Sequence, residues 1–247
     1  MNLGIIPARY ASTRFPGKPL VEIQGKSMIQ RVYEAAQSAH LLDEVIVATD
    51  DSRIADHVES FNGKVVLTGT EHPSGTDRCW EAYLKWQGKS GKSANYIINV
   101  QGDEPFLNPI QIDELASVLT GEVELATQMI RVHSAELLHS LGEAKIVLDT
   151  AGNVLLFSRQ AIPYLKNIPP DQWHLHHPYY RHIGMYAYRV DVLEKITQLA
   201  PSPLEKAESL EQLRWLEAGY RIKMVETTYD SPCIDTPEDL KRVLGSL

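Results

Sequence analysis

Three cations, Arg9, Arg14 and Lys18, stand within ten residues of one another in the run Pro7-Ala8-Arg9-Tyr10-Ala11-Ser12-Thr13-Arg14-Phe15-Pro16-Gly17-Lys18-Pro19-Leu20. Arginine offers forked, bidentate hydrogen bonds to phosphate oxygens and lysine a mobile point charge, so the three together match a polyphosphate. The loop lacks GxxxxGK[ST] and GxGxxG, which leaves the grip on phosphate mainly to side chains. Two carboxylates complete the chemistry. Asp103 lies in Gln101-Gly102-Asp103-Glu104-Pro105, and Asp235 directly precedes Thr236-Pro237. Mg²⁺ is held by one or two carboxylates with phosphate and water filling its remaining positions, so this pair facing a cationic, triphosphate-sized loop is what a Mg²⁺ site needs. Spacing alone leaves a second reading open, in which Asp103 shapes a turn and Asp235 helps to cap a helix.

The elements that must position these side chains follow from short apolar runs. Leu3 to Ile6 predicts a buried strand that Pro7 ends, delivering the cationic loop to the strand's C-terminal edge, where open α/β sheets bind ligands. Met28, Val32, Ala35, Ala36 and Ala39 fall on one helical face; Val45 to Ala48 predicts a strand, Ile54, Val58 and Phe61 a helix, and Lys64 to Leu67 and Tyr96 to Val100 two further strands. This alternation predicts a mostly parallel open sheet flanked by helices. After Gly121 the rhythm changes. Lys145 to Asp149 and Val154 to Arg159, joined by Thr150-Ala151-Gly152-Asn153, predict an antiparallel hairpin insertion. Residues 167–182 read as a Pro- and His-rich loop, and His174, His176 and His177, without an acidic partner, as part of a mobile lid rather than a metal site. A strand over 183–188 and helices near 190–199 and 203–218 follow, and Thr236 and Pro237 announce a capped C-terminal helix. No linker or repeat divides the chain, so residues 1–247 read as a single domain with an insertion at about 130–190.

Composition narrows the function classes. The 247 residues carry a net charge of −8, which argues against a nucleic-acid coat, yet residues 1–31 set Arg9, Arg14, Lys18, Lys26 and Arg31 against Glu22 alone. A local cationic patch on an acidic protein fits a small anionic ligand. No run is long enough to span a membrane and no signal peptide is visible, which predicts a cytoplasmic protein without membrane insertion. Cys79 and Cys233 lie too far apart in sequence, and without CxxC partners, to suggest a disulfide framework or a zinc site.

Eight strings carry a resemblance: PARYASTRFPGKPL, VATDD, SGTDR, NVQGDEP, LFSR, RHIGMYAYR, LEQLRWLEAG and IDTPEDL, in order and nearly end to end. Together they are similar to the 3-deoxy-manno-octulosonate (Kdo) cytidylyltransferases of lipopolysaccharide biosynthesis. The resemblance implies a glycosyltransferase-A-like nucleotidyltransferase fold, usually a homodimer, that uses CTP and Mg²⁺ to make CMP-Kdo and diphosphate. Carried onto this chain, it gives Arg9, Arg14 and Lys18 the phosphates, Ala8, Ser74 and Gly75 the cytidine with Gln101 near the ribose, and Asp103 and Asp235 the Mg²⁺. Arg159, His182, Tyr186, Glu211 and Gln212 would read the sugar acid, the positive groups meeting its carboxylate. The chain departs from the family pattern before Lys145, where His139 to Ala144 stand in place of a longer Asn-Pro segment. Alternative acceptors are 8-amino-Kdo and sialic acid, the latter opposed by SGTDR and RHIGMYAYR; a non-catalytic nucleotide-binding regulator is opposed by the retained Asp103 and Asp235.

Overall fold

In the computed structural model, residues 1–11 and 14–245 are described; Ser12 and Thr13 of the cationic loop lie outside them. The chain packs as two compact units, Met1–Ser117 together with Ser231–Leu247, and Val118–Asp230. The expected insertion at 130–190 lies within the second.

The first unit holds four parallel strands, β1 (Asn2–Ala8), β2 (Glu44–Thr49), β3 (Val65–Leu67) and β4 (Tyr96–Asn99), in the order β4-β1-β2-β3. Leu3, Ile5, Ile6, Ile46, Val47, Ile97 and Ile98 are almost wholly buried, as strands covered on both faces require. Four helices, α1 (Met28–Gln37), α2 (Ser52–Ser60), α3 (Gly75–Ser90) and α4 (Pro109–Ser117), flank this sheet. The alternation that predicted an open α/β sheet is therefore observed. Helix α3 is an addition to the sequence reading, although Cys79, Ala82, Tyr83 and Trp86 bury one face of it at helical spacing.

Pro7 does not end β1, which continues to Ala8 with Pro7 paired to Ala48 of β2. The reason is one of sides. Ile5 O accepts from Val100 N, so Ile5 and, two residues on, Pro7 turn their polar groups toward β4, and that ladder already stops at Ile5 opposite Asn99. The missing N–H of Pro7 thus falls where no ladder bond is needed.

In the second unit β5 (Leu125–Arg131), β6 (Lys145–Leu148), β7 (Val154–Ser158), β8 (Tyr180–Arg189) and β9 (Ile222–Glu226) form a mixed arrangement. Strand β8 runs antiparallel to β5 and β6, β9 runs parallel to β5, and β6 and β7 make the predicted hairpin. The segment before Lys145 closes on that lysine: its buried Nζ donates to Ser140 O and Glu143 O, both at 2.6 Å. Two expectations are corrected. The helix expected over 203–218 is broken into Pro203–Glu208 and Gln212–Glu217 by Ser209, whose φ of 53° cannot continue a helix. The loop expected over 167–182 contains a short helix, Trp173–His176, because Trp173 is buried with Tyr179, Val132 and Leu138 in an apolar cluster of its own.

Gly102 connects the fold to the site. A β-carbon there would lie 2.9 Å from Pro7 O, so the Gln101-Gly102-Asp103 turn can approach the end of β1 only with glycine. Gly102→Ala is expected to cost about 1–3 kcal/mol of unfolding free energy through this overlap with backbone, read as a lowered urea midpoint with an unchanged denaturant slope.

Candidate active site

Two adjoining cavities in the first unit share Pro7, Ala8, Arg9 and Gln101. One extends to Arg14, Lys18, Asp103 and Asp235; the other to His72, Ser74, Gly75 and Arg78. Together they line up every residue that the sequence assigned to phosphate, metal or cytidine.

The polar centre is Lys18. Its Nζ lies 2.9 Å from Asp103 Oδ2 and 3.0 Å from Asp235 Oδ1, and Arg14 Nη1 lies 3.1 Å from Asp235 Oδ2. The lysine backbone is fixed by a tight turn in which Gly17, at φ 70°, donates to Tyr10 O while Leu20 N returns to Gly17 O. Burial lowers the Lys18 pKa, but attraction and hydrogen bonding from Asp103 and then Asp235 outweigh it, so the ammonium is held above its ordinary value. The two carboxylates meet because their main chains do: Ile234 N donates to Asp103 O at 2.9 Å. Thr236 then caps the C-terminal helix Pro237–Gly245, its Oγ1 accepting from Asp239 N at 3.1 Å. Asp235 itself makes no cap, since its side chain is spent on Lys18 and Arg14.

A cation already bridging both carboxylates shows that their spacing suits a positive centre. Asp103, Cys233 and Asp235 each place one donor atom within 4.8 Å of the others. The carboxylates are hard oxygen donors that fit Mg²⁺; the thiol of Cys233 does not improve that fit.

Ser74 caps α3, its Oγ accepting from Asp77 N and donating to Asp77 Oδ2 at 2.6 Å, so the helix N-terminus opens beside Ala8 and Arg9. Gly75 packs against the Pro7 ring, where a β-carbon would lie 3.4 Å from Pro7 Cγ. Arg78, which the sequence reading did not single out, is nearly buried and joins three segments: it donates to Thr68 Oγ1, Gly69 O and Asp50 Oδ2. His72 contacts Glu81, which also accepts from Gly69 N. The clue to Arg78 was present in SGTDR, whose arginine falls on the buried face of α3 and faces the acid ending β2.

Among the sugar-site candidates, His182 and Tyr186 are brought together by an irregularity. Residues four apart in a strand are normally about 13 Å apart. Strand β8 instead slips its register against β5 between Ile183 and Tyr186, and the two rings sit 5.2 Å apart. Thr127 Oγ1 meets His182 Nε2 at 2.9 Å, and Trp215 stands edge-on to Tyr186 at 5.1 Å. Burial, then the Arg181 guanidinium, push His182 down to about 3; burial, Tyr188 and Glu211 push the Tyr186 phenol well above its ordinary value. Both rings are therefore neutral at neutral pH. Gln212 is buried and Glu211 half-buried at the start of the helix after Ser209. Arg159 gives its guanidinium to main-chain carbonyls, Glu208 O at 2.7 Å, Leu141 O at 3.0 Å, Gly142 O at 3.2 Å and Ser209 O at 3.4 Å. It thereby ties the end of β7 to the break that presents Glu211 and Gln212. Trp215 is a further addition to the sequence reading; its Nε1 is buried without a hydrogen-bond partner among the described residues.

The sequence profile of the family described as Cytidylyltransferase matches residues 3–237. The chain is 55% identical over 242 residues to a 3-deoxy-manno-octulosonate cytidylyltransferase of Cytophaga hutchinsonii, covering 98% of this chain and 95% of that protein. This chain belongs to the 3-deoxy-manno-octulosonate cytidylyltransferase family. Another member, from Parabacteroides distasonis, is 49% identical over 250 residues, covering 99% of this chain and 97% of its own. A solved structure of CMP:2-keto-3-deoxy-manno-octonic acid synthetase complexed with CTP superposes with a TM-score of 0.91 at 40% identity, covering 99% of this chain and 97% of that one. A 4-diphosphocytidyl-2C-methyl-D-erythritol synthase, at 13% identity and a TM-score of 0.65, shares the fold alone. The cytidylyltransferase fold implied by the sequence motifs is thus the one observed.

The depressed His182 pKa has a thermodynamic consequence in this cytidylyltransferase. In the unfolded chain the imidazole titrates near 6.5 and in the folded chain near 3, so between these values only the unfolded state takes the proton. This contribution to stability is complete above pH 6.5 and is lost progressively as the pH falls toward 3. Urea unfolding at pH 7 and pH 4 should show a larger acid loss for the wild-type protein than for His182→Gln, which has nothing to titrate; equal losses would contradict it.

Proposed function

We propose that the protein joins CTP to 3-deoxy-D-manno-octulosonate, giving CMP-Kdo and diphosphate for lipopolysaccharide assembly, and that it does so with Mg²⁺. The observation that carries this reading is the Lys18 ammonium shared by Asp103 and Asp235 at 2.9 and 3.0 Å beside Arg9 and Arg14. That arrangement offers both halves of a metal–triphosphate site, an acidic pair and the cations to receive phosphate.

In this reading Arg9, Arg14 and Lys18 hold the triphosphate, and Ala8, Ser74 and Gly75 frame the cytosine, with Gln101 toward the ribose. Asp103 and Asp235 hold Mg²⁺, which when bound supplies charge neutralisation at phosphorus and lowers the pKa of the attacking hydroxyl. The anomeric hydroxyl attacks the α-phosphorus, the bond to the bridging oxygen of the β-phosphate breaks, and diphosphate leaves. Transfers of this kind ask the protein for positioning and fixed positive charge rather than for a covalent nucleophile. His182, Tyr186, Glu211, Gln212 and Trp215 read the sugar's hydroxyls. With His182 held neutral, Arg159 is the cation of the set toward the carboxylate. Diphosphate release from CTP with Kdo, 8-amino-Kdo or sialic acid supplied separately tests the reading; Kdo is the expected acceptor, and release with sialic acid alone would replace it.

We place the protein in the cytoplasm, as the sequence reading expects; among the described residues no helix is long and apolar enough to cross a membrane. The assembly is a homodimer through the second unit, where Leu155 (61%), Tyr164 (73%) and Leu175 (71%) are strongly exposed. Leu155→Glu is expected to shift the sedimentation coefficient to that of a 27.8 kDa monomer. An unchanged coefficient would remove β7 from the interface.

Asp103→Asn and Asp235→Asn should each lower turnover by about 10²-fold or more while the melting temperature stays close to wild type. The double variant should be little worse than the poorer single one, since a misplaced metal leaves the second carboxylate nothing to hold. Rate losses that multiply would assign the two acids separate tasks.

A further inference from the structure

Lys18, which the proposed function assigns to the triphosphate, is held in this structure by Asp103 and Asp235. Asp103 and Asp235 carry two negative charges, and Lys18 and Arg14, in contact with them, carry two positive charges. The cluster is therefore neutral as it stands. A divalent ion approaching it gains little from attraction and must displace an ammonium whose side chain is only 14% exposed. The same ammonium is also needed by the triphosphate. Its main chain is anchored in the Gly17–Leu20 turn, but four methylenes let the charge swing, as a guanidinium fork does less readily.

We infer that Lys18 is the resident counter-ion of the Asp103–Asp235 pair, and that the metal gains the pair only as the triphosphate of CTP draws Lys18 away, so that nucleotide and metal bind as coupled ligands. The inference rests on the cytidylyltransferase reading for the identity of the nucleotide, but the charge exchange itself rests on the four contacting side chains. When Lys18 and Arg14 turn to phosphate, the pair is left with a charge of −2 and becomes a strong cation site. Linkage makes the effect reciprocal: a metal that takes the pair releases Lys18 and so tightens CTP. Metal loading of the free enzyme is thereby suppressed, and the acids are kept from repelling one another before substrate arrives.

The test is Mn²⁺ binding to nucleotide-free protein, followed by electron paramagnetic resonance. Lys18→Met keeps the apolar stem and removes the charge, and it should bind Mn²⁺ about tenfold or more tightly than wild type, within the usual range of coupling between sites. Lys18→Arg, which keeps a cation at the pair, should bind like wild type. Adding Asp103→Asn to Lys18→Met should abolish the gain, locating the ion at this pair. Should the free carboxylates destabilise Lys18→Met, its melting temperature will rise with Mn²⁺ more than that of the wild type, giving the same answer. Unchanged or weaker Mn²⁺ binding by Lys18→Met, or a gain that survives Asp103→Asn, overturns the inference. Diphosphate release by the wild-type enzyme from CTP and Kdo is measured alongside. Failure there counts against the proposed function, whereas normal release with no gain of Mn²⁺ affinity counts against the counter-ion role alone.

Discussion

Two carboxylates that would repel each other must be held at hydrogen-bond distance from one ammonium, and much of the first unit is arranged to meet that constraint. Asp103 follows a central strand, while Asp235 comes from a segment that returns only after the whole second unit has been built. Their junction is made by main chain, through Ile234 N to Asp103 O, and is backed by the apolar group of Ile23, Met28, Ile234 and Val243. Burial of those side chains fixes the returning segment, and the hydrogen bond fixes its height against the end of β4. Lys18 then supplies the charge that makes the convergence tolerable.

The same constraint explains the glycines and the proline around it. Gly102 is needed because a β-carbon there would come within 2.9 Å of Pro7 O, and Pro7 can stay in the strand because its absent donor faces the finished edge of the β1–β4 ladder. The loop has no glycine-rich phosphate nest, and its positive charge lies in the side chains of Arg9, Arg14 and Lys18. Of the five cations in the first 31 residues, Arg9, Arg14 and Lys18 line one cavity, whereas Lys26 pairs with Glu34 and Arg31 donates to Ile23 O, so the basic stretch read from composition serves two separate places.

The first unit was legible because its chemistry sits at strand ends. Short apolar runs located β1 and β4, the end of β1 lying two residues beyond its run, and the cations and the first acid stand after them; the second acid was marked by the Thr-Pro start of the last helix. Sequence reasoning missed α3, α4 and Arg78 there; α3 had a readable period in Cys79, Ala82, Tyr83 and Trp86, though polar residues and Gly75 and Gly88 dilute it. The second unit was harder for a physical reason. The pairing of His182 with Tyr186 depends on a register slip, and the presentation of Glu211 and Gln212 depends on a non-glycine residue, Ser209, in the left-handed region. Both are local departures from regular geometry that tertiary contacts impose and that residue types do not announce. For these residues the family resemblance carried the sequence reading, since periodicity alone would have left Glu211 and Gln212 as the solvated side of one long helix.

The two units consequently solve different electrostatic problems. In the first, formal charges of both signs are held in contact in the lining of a cavity, Lys18 and Arg14 against Asp103 and Asp235. In the second, His182 and Tyr186 are kept neutral by burial, and the Arg159 guanidinium is held by four carbonyls while its main-chain N–H donates to the Glu208 carboxylate. Carbonyl dipoles satisfy a guanidinium's donors without adding an opposite formal charge, whereas a carboxylate partner makes the pair neutral as a whole. Arg159 thereby braces the Ser209 break, and the nearby Glu208 carboxylate, which its main-chain N–H also meets, shares its field, so the turn that carries Glu211 and Gln212 is held by one arginine from both its main chain and its side chain.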